Sequence, residues 1–91
     1  MIRTAPWTAY VTRHAAEQFR ARIAPSLDVD AARTAILRGL EAPVSIAPAH
    51  SGRGIYVRVR RSHVQPYSFR ALVGPGRGHL PAVITILRSG H

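Results

Sequence analysis

The segment Gly54 to Arg61 alternates apolar side chains with side chains that bind anions. The apolar members are Ile55, Val57 and Val59, and the alternating members are Tyr56, Arg58 and Arg60. A period of two is typical of a β-strand, so one set faces a core and the other faces outward. Arginine presents a rigid fork of donors to phosphate or carboxylate and stacks on flat rings. The outward set therefore predicts contact with an anionic partner.

A second strand, predicted over residues 67–73, adds Arg70 to this chemistry. Phe69 and Ala71 belong to its apolar face, whereas Arg70 alternates with them. If the two strands are neighbours, Arg58 and Arg70 lie close together on the outward face. The binding surface that we expect comprises Arg53, Tyr56, Arg58, Arg60, Arg61, Arg70, Arg77 and His79.

The glycine-rich, basic segment 74–81 connects two predicted strands. A phosphate-cradling P-loop instead precedes a helix and carries a lysine followed by serine or threonine, which this segment lacks. Two interpretations remain for it. It is a plain connector, or it is a hairpin tip that touches the partner through Arg77 and His79.

Catalytic chemistry has few candidates in this chain. The five histidines show no helical i, i+3 or i, i+4 pairing, there is no cysteine, and no carboxylate follows Glu41. We therefore expect no metal site, no cofactor and no hydrolysis by paired carboxylates. One route survives, which is metal-free RNA cleavage. His14 would serve as base or acid, while Tyr56, Arg58 and Arg70 would stabilise the developing charge.

Charge is distributed unevenly along the chain. All thirteen Lys-or-Arg positions are arginine, and the net charge is +9. Residues 1–41 hold six arginines and all four acids, whereas residues 42–91 hold seven arginines and no acid. A GC-rich genome would enrich arginine without removing acids. The imbalance favours a nucleic acid or an acidic nucleoprotein surface as partner.

Length and composition predict one compact domain over residues 1–91. No apolar run approaches the ~18–20 residues that span a bilayer, and the first residues lack the apolar segment of a secretory signal. The absence of cysteine fits the cytosol, so we expect a cytoplasmic protein without a membrane partner. A chain of 91 residues has a small core, which leaves a homodimer open.

The elements that must position these residues begin with two helices. Thr12 is the expected N-cap of a helix to about Ile23, and Ser26 or Asp28 begins a second helix to about Arg38. Gly39 is expected as its C-terminal cap. Strands follow at 44–46, 54–61, 67–73 and 82–88. The pattern predicts an α+β fold in which the two N-terminal helices pack on one face of a three- to four-stranded antiparallel sheet.

One charged side chain on these helices, that of Arg33, has an unexpected position. Arg33 falls within the apolar arc of the second helix, where a charged group is out of place. We expect its guanidinium to extend to the rim of the core. An ion pair with Glu17 is the alternative.

The first helix carries a further pattern. Residues 14–22 resemble the His-Ala-x-x-Arg-apolar-x-x-Arg opening of small proteins related to the RelE-like ribonuclease toxins. That resemblance implies helices ahead of an antiparallel sheet, and metal-free endoribonuclease activity. His14 and Arg22 match the pattern, whereas Gln18 stands where it has arginine.

A second resemblance is one of size and style. The opening, followed by the helix that contains Leu27 and Ala32, is similar to short phage- and prophage-encoded proteins, some of which are anti-CRISPR inhibitors of bacterial defence. It implies a compact inhibitor in the host cytosol. Three hypotheses result: a non-enzymatic basic binding protein, which the sparse catalytic set favours; a RelE-like ribonuclease toxin; and a structural accessory homodimer.

Overall fold

Two helices precede most of the strands. The computed structural model describes residues 10–49, 54–63, 65–75 and 81–88. In chain order the elements are β1 (Tyr10–Val11), α1 (Arg13–Arg22), α2 (Val29–Leu40), β2 (Ser45–Pro48), β3 (Ile55–Val59), β4 (Phe69–Pro75) and β5 (Pro81–Arg88). The predicted α+β class is confirmed.

The strands form one mixed sheet in the order β1-β5-β4-β3-β2. Strands β2 to β5 are antiparallel to their neighbours, whereas β1 pairs in parallel with β5, Tyr10 opposite Ala82 and Val11 opposite Val83. The prediction of three to four antiparallel strands is therefore wrong in strand number and in one orientation. Because β1 has two residues, it is too short for side-chain alternation to indicate a strand.

The helices lie mainly against the β5 half of the sheet. α1 contacts β5, and α2 packs on α1 and reaches β1 and β3. The prediction that both helices pack on one face is matched only in part, because α1 also covers an edge of β5. Beyond Val83, the backbone of Ile86 donates to Gln18 Oε1 at 3.1 Å and accepts from Arg22 Nη1 at 3.0 Å. Side chains of α1 thus satisfy an edge that β1 is too short to pair.

The helix starts agree with the sequence, but one helix end does not. Thr12 Oγ1 accepts from the Ala15 N–H at 3.1 Å, so the predicted first N-cap is confirmed. Of the two candidates for the second, the structure has Asp28 and not Ser26, since Asp28 Oδ1 accepts from the Ala31 N–H at 2.7 Å. α2, however, continues through Gly39 to Leu40. Gly39 is buried, and a Cβ there would lie 2.9 Å from Phe69 Cζ. Its role is close approach of helix and sheet, not capping.

The core lies between the helices and the sheet. Phe19 packs edge-to-face on Tyr67 and on Phe69, with ring centroids 5.2 Å apart in each pair. Edge-to-face packing is the favoured geometry for such rings. The fully buried large side chains are Phe19, Phe69, Ile36, Leu40, Ile86, Val57, Val59 and Val83. The predicted inward faces of β3 and β4 are therefore confirmed.

Arg33 does extend to the rim of this core. Its Nε donates to the Val11 carbonyl at 3.3 Å, and its Nη1 lies 3.7 Å from Asp30 Oδ1. Glu17, the alternative partner, pairs with Arg13 instead, at 3.1 Å. Arg33 thus ties α2 to the backbone of β1.

Candidate functional site

The outer face of β3 and β4 brings the central predicted residues together. In the antiparallel register Arg58 faces Arg70, and Tyr56 faces Leu72. Their neighbours in sequence, including Val57 and Ala71, are buried, so the charged members point away from the core. Directly opposed positions place Cβ atoms about 4.5–5.5 Å apart. Two arginine side chains therefore project from adjacent positions on the outer face.

No carboxylate offsets the charge of this pair in the described part of the chain. The two salt bridges between described residues join Arg13 to Glu17 and Arg33 to Asp30, and both lie on the helices. Like charges on opposed strand positions repel one another. The repulsion is relieved when an anion binds between them.

Arg70 shows a second sign of incomplete satisfaction. Its Nε is buried and has no hydrogen-bond partner among the described residues. A buried donor without an acceptor costs on the order of 1–3 kcal/mol, and more when the group is charged. The side chain as a whole is partly exposed. Arg70 therefore combines an exposed part that a ligand can reach with a buried donor that lacks a partner among the described residues.

Arg70 also lines an open concavity of about 440 Å³, together with Arg22, Leu87 and Arg88. Leu87 faces Arg70 in the β4–β5 register, and Arg22 is held over β5 by its bond to the Ile86 carbonyl. Three arginines from α1, β4 and β5 thus converge. The sequence-based binding set omitted Arg22 and Arg88. Arg22 matches the toxin-like pattern of α1, but no local pattern indicates that it lies beside Arg88, because the strand order and the packing of α1 on β5 bring the two together.

Arg60 and Arg61 occupy a different place from the one predicted. They line a second concavity, of about 510 Å³, at the C-terminal end of α2. Arg38 and Glu41 line it as well. β3 ends at Val59, so the alternation that placed Arg60 beside Arg58 stops there. A carboxylate is present in this second basic cluster, unlike the first.

Of the remaining predicted residues, one lies beside the facing pair and three lie outside the described ranges. Tyr56 is partly exposed on β3 beside Arg58. Arg53, Arg77 and His79 fall outside the described residues, and so does most of the 74–81 segment.

The residues of the ribonuclease alternative divide between two elements. His14 is exposed in the first turn of α1, eight residues from Arg22. At 1.5 Å per residue this is about 12 Å along the helix axis. Gln18, between them, accepts hydrogen bonds from the Thr85 hydroxyl and the Ile86 N–H. An arginine at this position would have no acceptor to offer these two donors.

The described residues were also compared with the requirements of a metal site and of a membrane-spanning helix. The described residues contain no group of three or more histidine, cysteine or acidic side chains placed to hold a metal ion. None of the described helices has the length and apolar character needed to cross a bilayer.

Comparison with protein-family models, curated proteins and solved structures finds no match to this chain. Its function is therefore inferred from its own residues.

Proposed function

We propose that this chain is a small, basic, non-enzymatic binding protein whose outer sheet face docks on the phosphate backbone of a nucleic acid. The observation that carries the proposal is the facing pair Arg58 and Arg70, which no described carboxylate neutralises. Arginine binds phosphate through parallel N–H donors. Tyr56 and Leu72 provide adjoining surface for a sugar or a base.

The charge of the whole chain supports the same partner. Residues 42–91 contain β2 to β5 and no acid, so most of the sheet comes from a segment without carboxylates. A positive surface of this kind attracts polyanions and releases their counter-ions on binding. Nucleic-acid binding that depends on these charges must weaken steeply as salt rises.

The test is fluorescence anisotropy of labelled oligonucleotides, single- and double-stranded, with the purified full chain at several salt concentrations. We expect the double variant Arg58→Ala/Arg70→Ala to bind more weakly. Its slope of log K against log salt should be shallower by about 2, because each of the two arginines neutralises one phosphate in the original chain.

The matched control is Arg13→Ala/Arg38→Ala. It removes the same charge from exposed positions on the two helices. It should keep the wild-type slope if the outer face binds the phosphates. Equal weakening in both double variants would contradict the proposal, because binding would then follow net charge alone.

An acidic protein surface is the other outcome of this experiment. If no oligonucleotide binds and polyglutamate does, the face recognises carboxylates instead of phosphates. A CRISPR effector, the partner that the anti-CRISPR resemblance implies, contains both protein and nucleic acid. The oligonucleotide and polyglutamate arms would assign the contact within such a complex.

The ribonuclease alternative predicts a different phenotype. A toxin should arrest growth when it is expressed alone, and His14→Ala should relieve the arrest. We expect no arrest, since His14 is about 12 Å along α1 from the arginine cluster that Arg22 joins. The accessory-homodimer alternative is tested by the mass of the purified chain in solution.

A further inference from the structure

We propose that the concavity lined by Arg22, Arg70, Leu87 and Arg88 binds a terminal phosphate monoester of the nucleic-acid strand. The proposal rests on the proposed function and assigns the strand end to a particular place. A strand bound in this way has a fixed direction along the outer face. The backbone follows Arg58 and Arg70, and the strand terminates beside Arg22 and Arg88.

Charge distinguishes this concavity from the rest of the sheet. Three guanidinium groups line it, and no carboxylate does. The concavity beside α2 differs, since Glu41 lines it together with its arginines. An internal phosphodiester has one negative charge, whereas a phosphate monoester has about −1.5 to −2 near pH 7. The more highly charged group gains more from three arginines.

The donors are partly fixed in position before any ligand arrives. Arg22 Nη1 donates to the Ile86 carbonyl at 3.0 Å, which orients the guanidinium and leaves its other N–H groups for a ligand. Arg22 and Arg20 lie in the last turn of α1, where they offset the partial negative charge of the helix end. A held guanidinium loses less side-chain entropy on binding than a mobile one.

Arg70 connects the concavity to the outer face. It lines the concavity, and in the β3–β4 register it also faces Arg58. Its buried Nε has no acceptor among the described residues. A phosphate that draws the guanidinium toward the concavity would supply one. Opposite Arg70, Leu87 contributes an apolar surface to the lining of the concavity.

The experiment compares three versions of one oligonucleotide, bearing a 5′-phosphate, a 3′-phosphate or hydroxyl groups at both ends. We expect one phosphorylated version to bind roughly tenfold more tightly than the hydroxyl version, the gain typical of added charge-assisted hydrogen bonds. Arg88→Ala should reduce this preference to less than about twofold, whatever its effect on binding of the hydroxyl version. Arg58→Ala, the control, should weaken all three versions and retain the preference.

The outcomes separate the two proposals. Equal affinity for all three versions overturns the phosphate site and leaves the proposed function intact. Failure of the original chain to bind any version overturns both. Should Arg88→Ala fail to fold, Leu87→Glu places a carboxylate in the concavity and must also abolish the preference. A preference that survives in folded Leu87→Glu would place the strand end elsewhere.

Discussion

Arg58 and Arg70 occupy facing positions on β3 and β4 although their charges repel. A pair chosen for stability alone would be apolar or oppositely charged, with each such choice worth about 0.2–1 kcal/mol. The buried Nε of Arg70 adds to the cost. The free protein is therefore less stable than its sheet permits, and an anion bound at this pair would return part of that stability.

Gln18 is the residue whose single replacement should have the clearest structural effect. Its Oε1 is the acceptor for the Thr85 hydroxyl and the Ile86 N–H. Gln18→Leu should lower the free energy of unfolding by about 1–3 kcal/mol, because it leaves partly buried donors without an acceptor. Urea unfolding measures this change.

The control for that prediction is Gln18→Glu, which keeps an acceptor oxygen at nearly the same place. It should retain most of the stability. If Gln18→Leu were as stable as the original chain, the contact of α1 with the β5 edge would not be the one described.

At the scale of elements, Gly39 sets the distance between α2 and the sheet. Alanine is better than glycine in a helix interior by about 1 kcal/mol, so Gly39→Ala would stabilise an isolated helix. Here its Cβ would lie 2.9 Å from Phe69 Cζ and 3.0 Å from Val59 Cγ1. We expect overpacking to dominate, with a net loss of about 1–3 kcal/mol in chemical denaturation.

A compensating variant checks the cause of that destabilisation. Phe69→Leu removes the ring that the new Cβ would meet, at its own cost in packing. Gly39→Ala should therefore be much less destabilising in the Phe69→Leu background than in the original chain. Equal destabilisation in both backgrounds would show that Phe69 is not the obstacle.

Local patterns were sufficient for the strand faces and insufficient for the concavity. Alternation fixed the outward direction of Arg58 and Arg70, and consecutive strands with short connections are usually neighbours. The concavity depends on the contact between Arg22 and Ile86, which are 64 residues apart. Nothing local to either residue encodes it. Gly39 was misassigned for the same reason, since its close partners are strand residues.

At the scale of the whole molecule, the exclusive use of arginine predicts how binding depends on pH. Guanidinium groups and phosphodiesters both keep their charges between about pH 7 and 9. Affinity for a strand with hydroxyl ends should therefore stay within about twofold across that range. Anisotropy titrations at constant ionic strength measure it.

A histidine in the interface would give a different profile. Protonation adds positive charge, so affinity would increase as the pH falls through about 6.5 and would decrease as the pH rises through it. Histidine-to-alanine variants would then flatten the curve. A decline in affinity between pH 7 and 9 in the original chain would contradict a surface that depends on arginine alone.

The position of β5 between β1 and β4 also determines when the fold can form during synthesis. Thr12 must bond to Val83, 71 residues later in the chain, and α1 needs the same late strand for its hydrogen bonds to Ile86. In a nascent chain on the ribosome, α1 therefore lacks these hydrogen bonds until nearly all of the described residues have been synthesised. Translation delivers β1 and its neighbour β5 far apart in time, and only β5 can join β1 to the rest of the sheet.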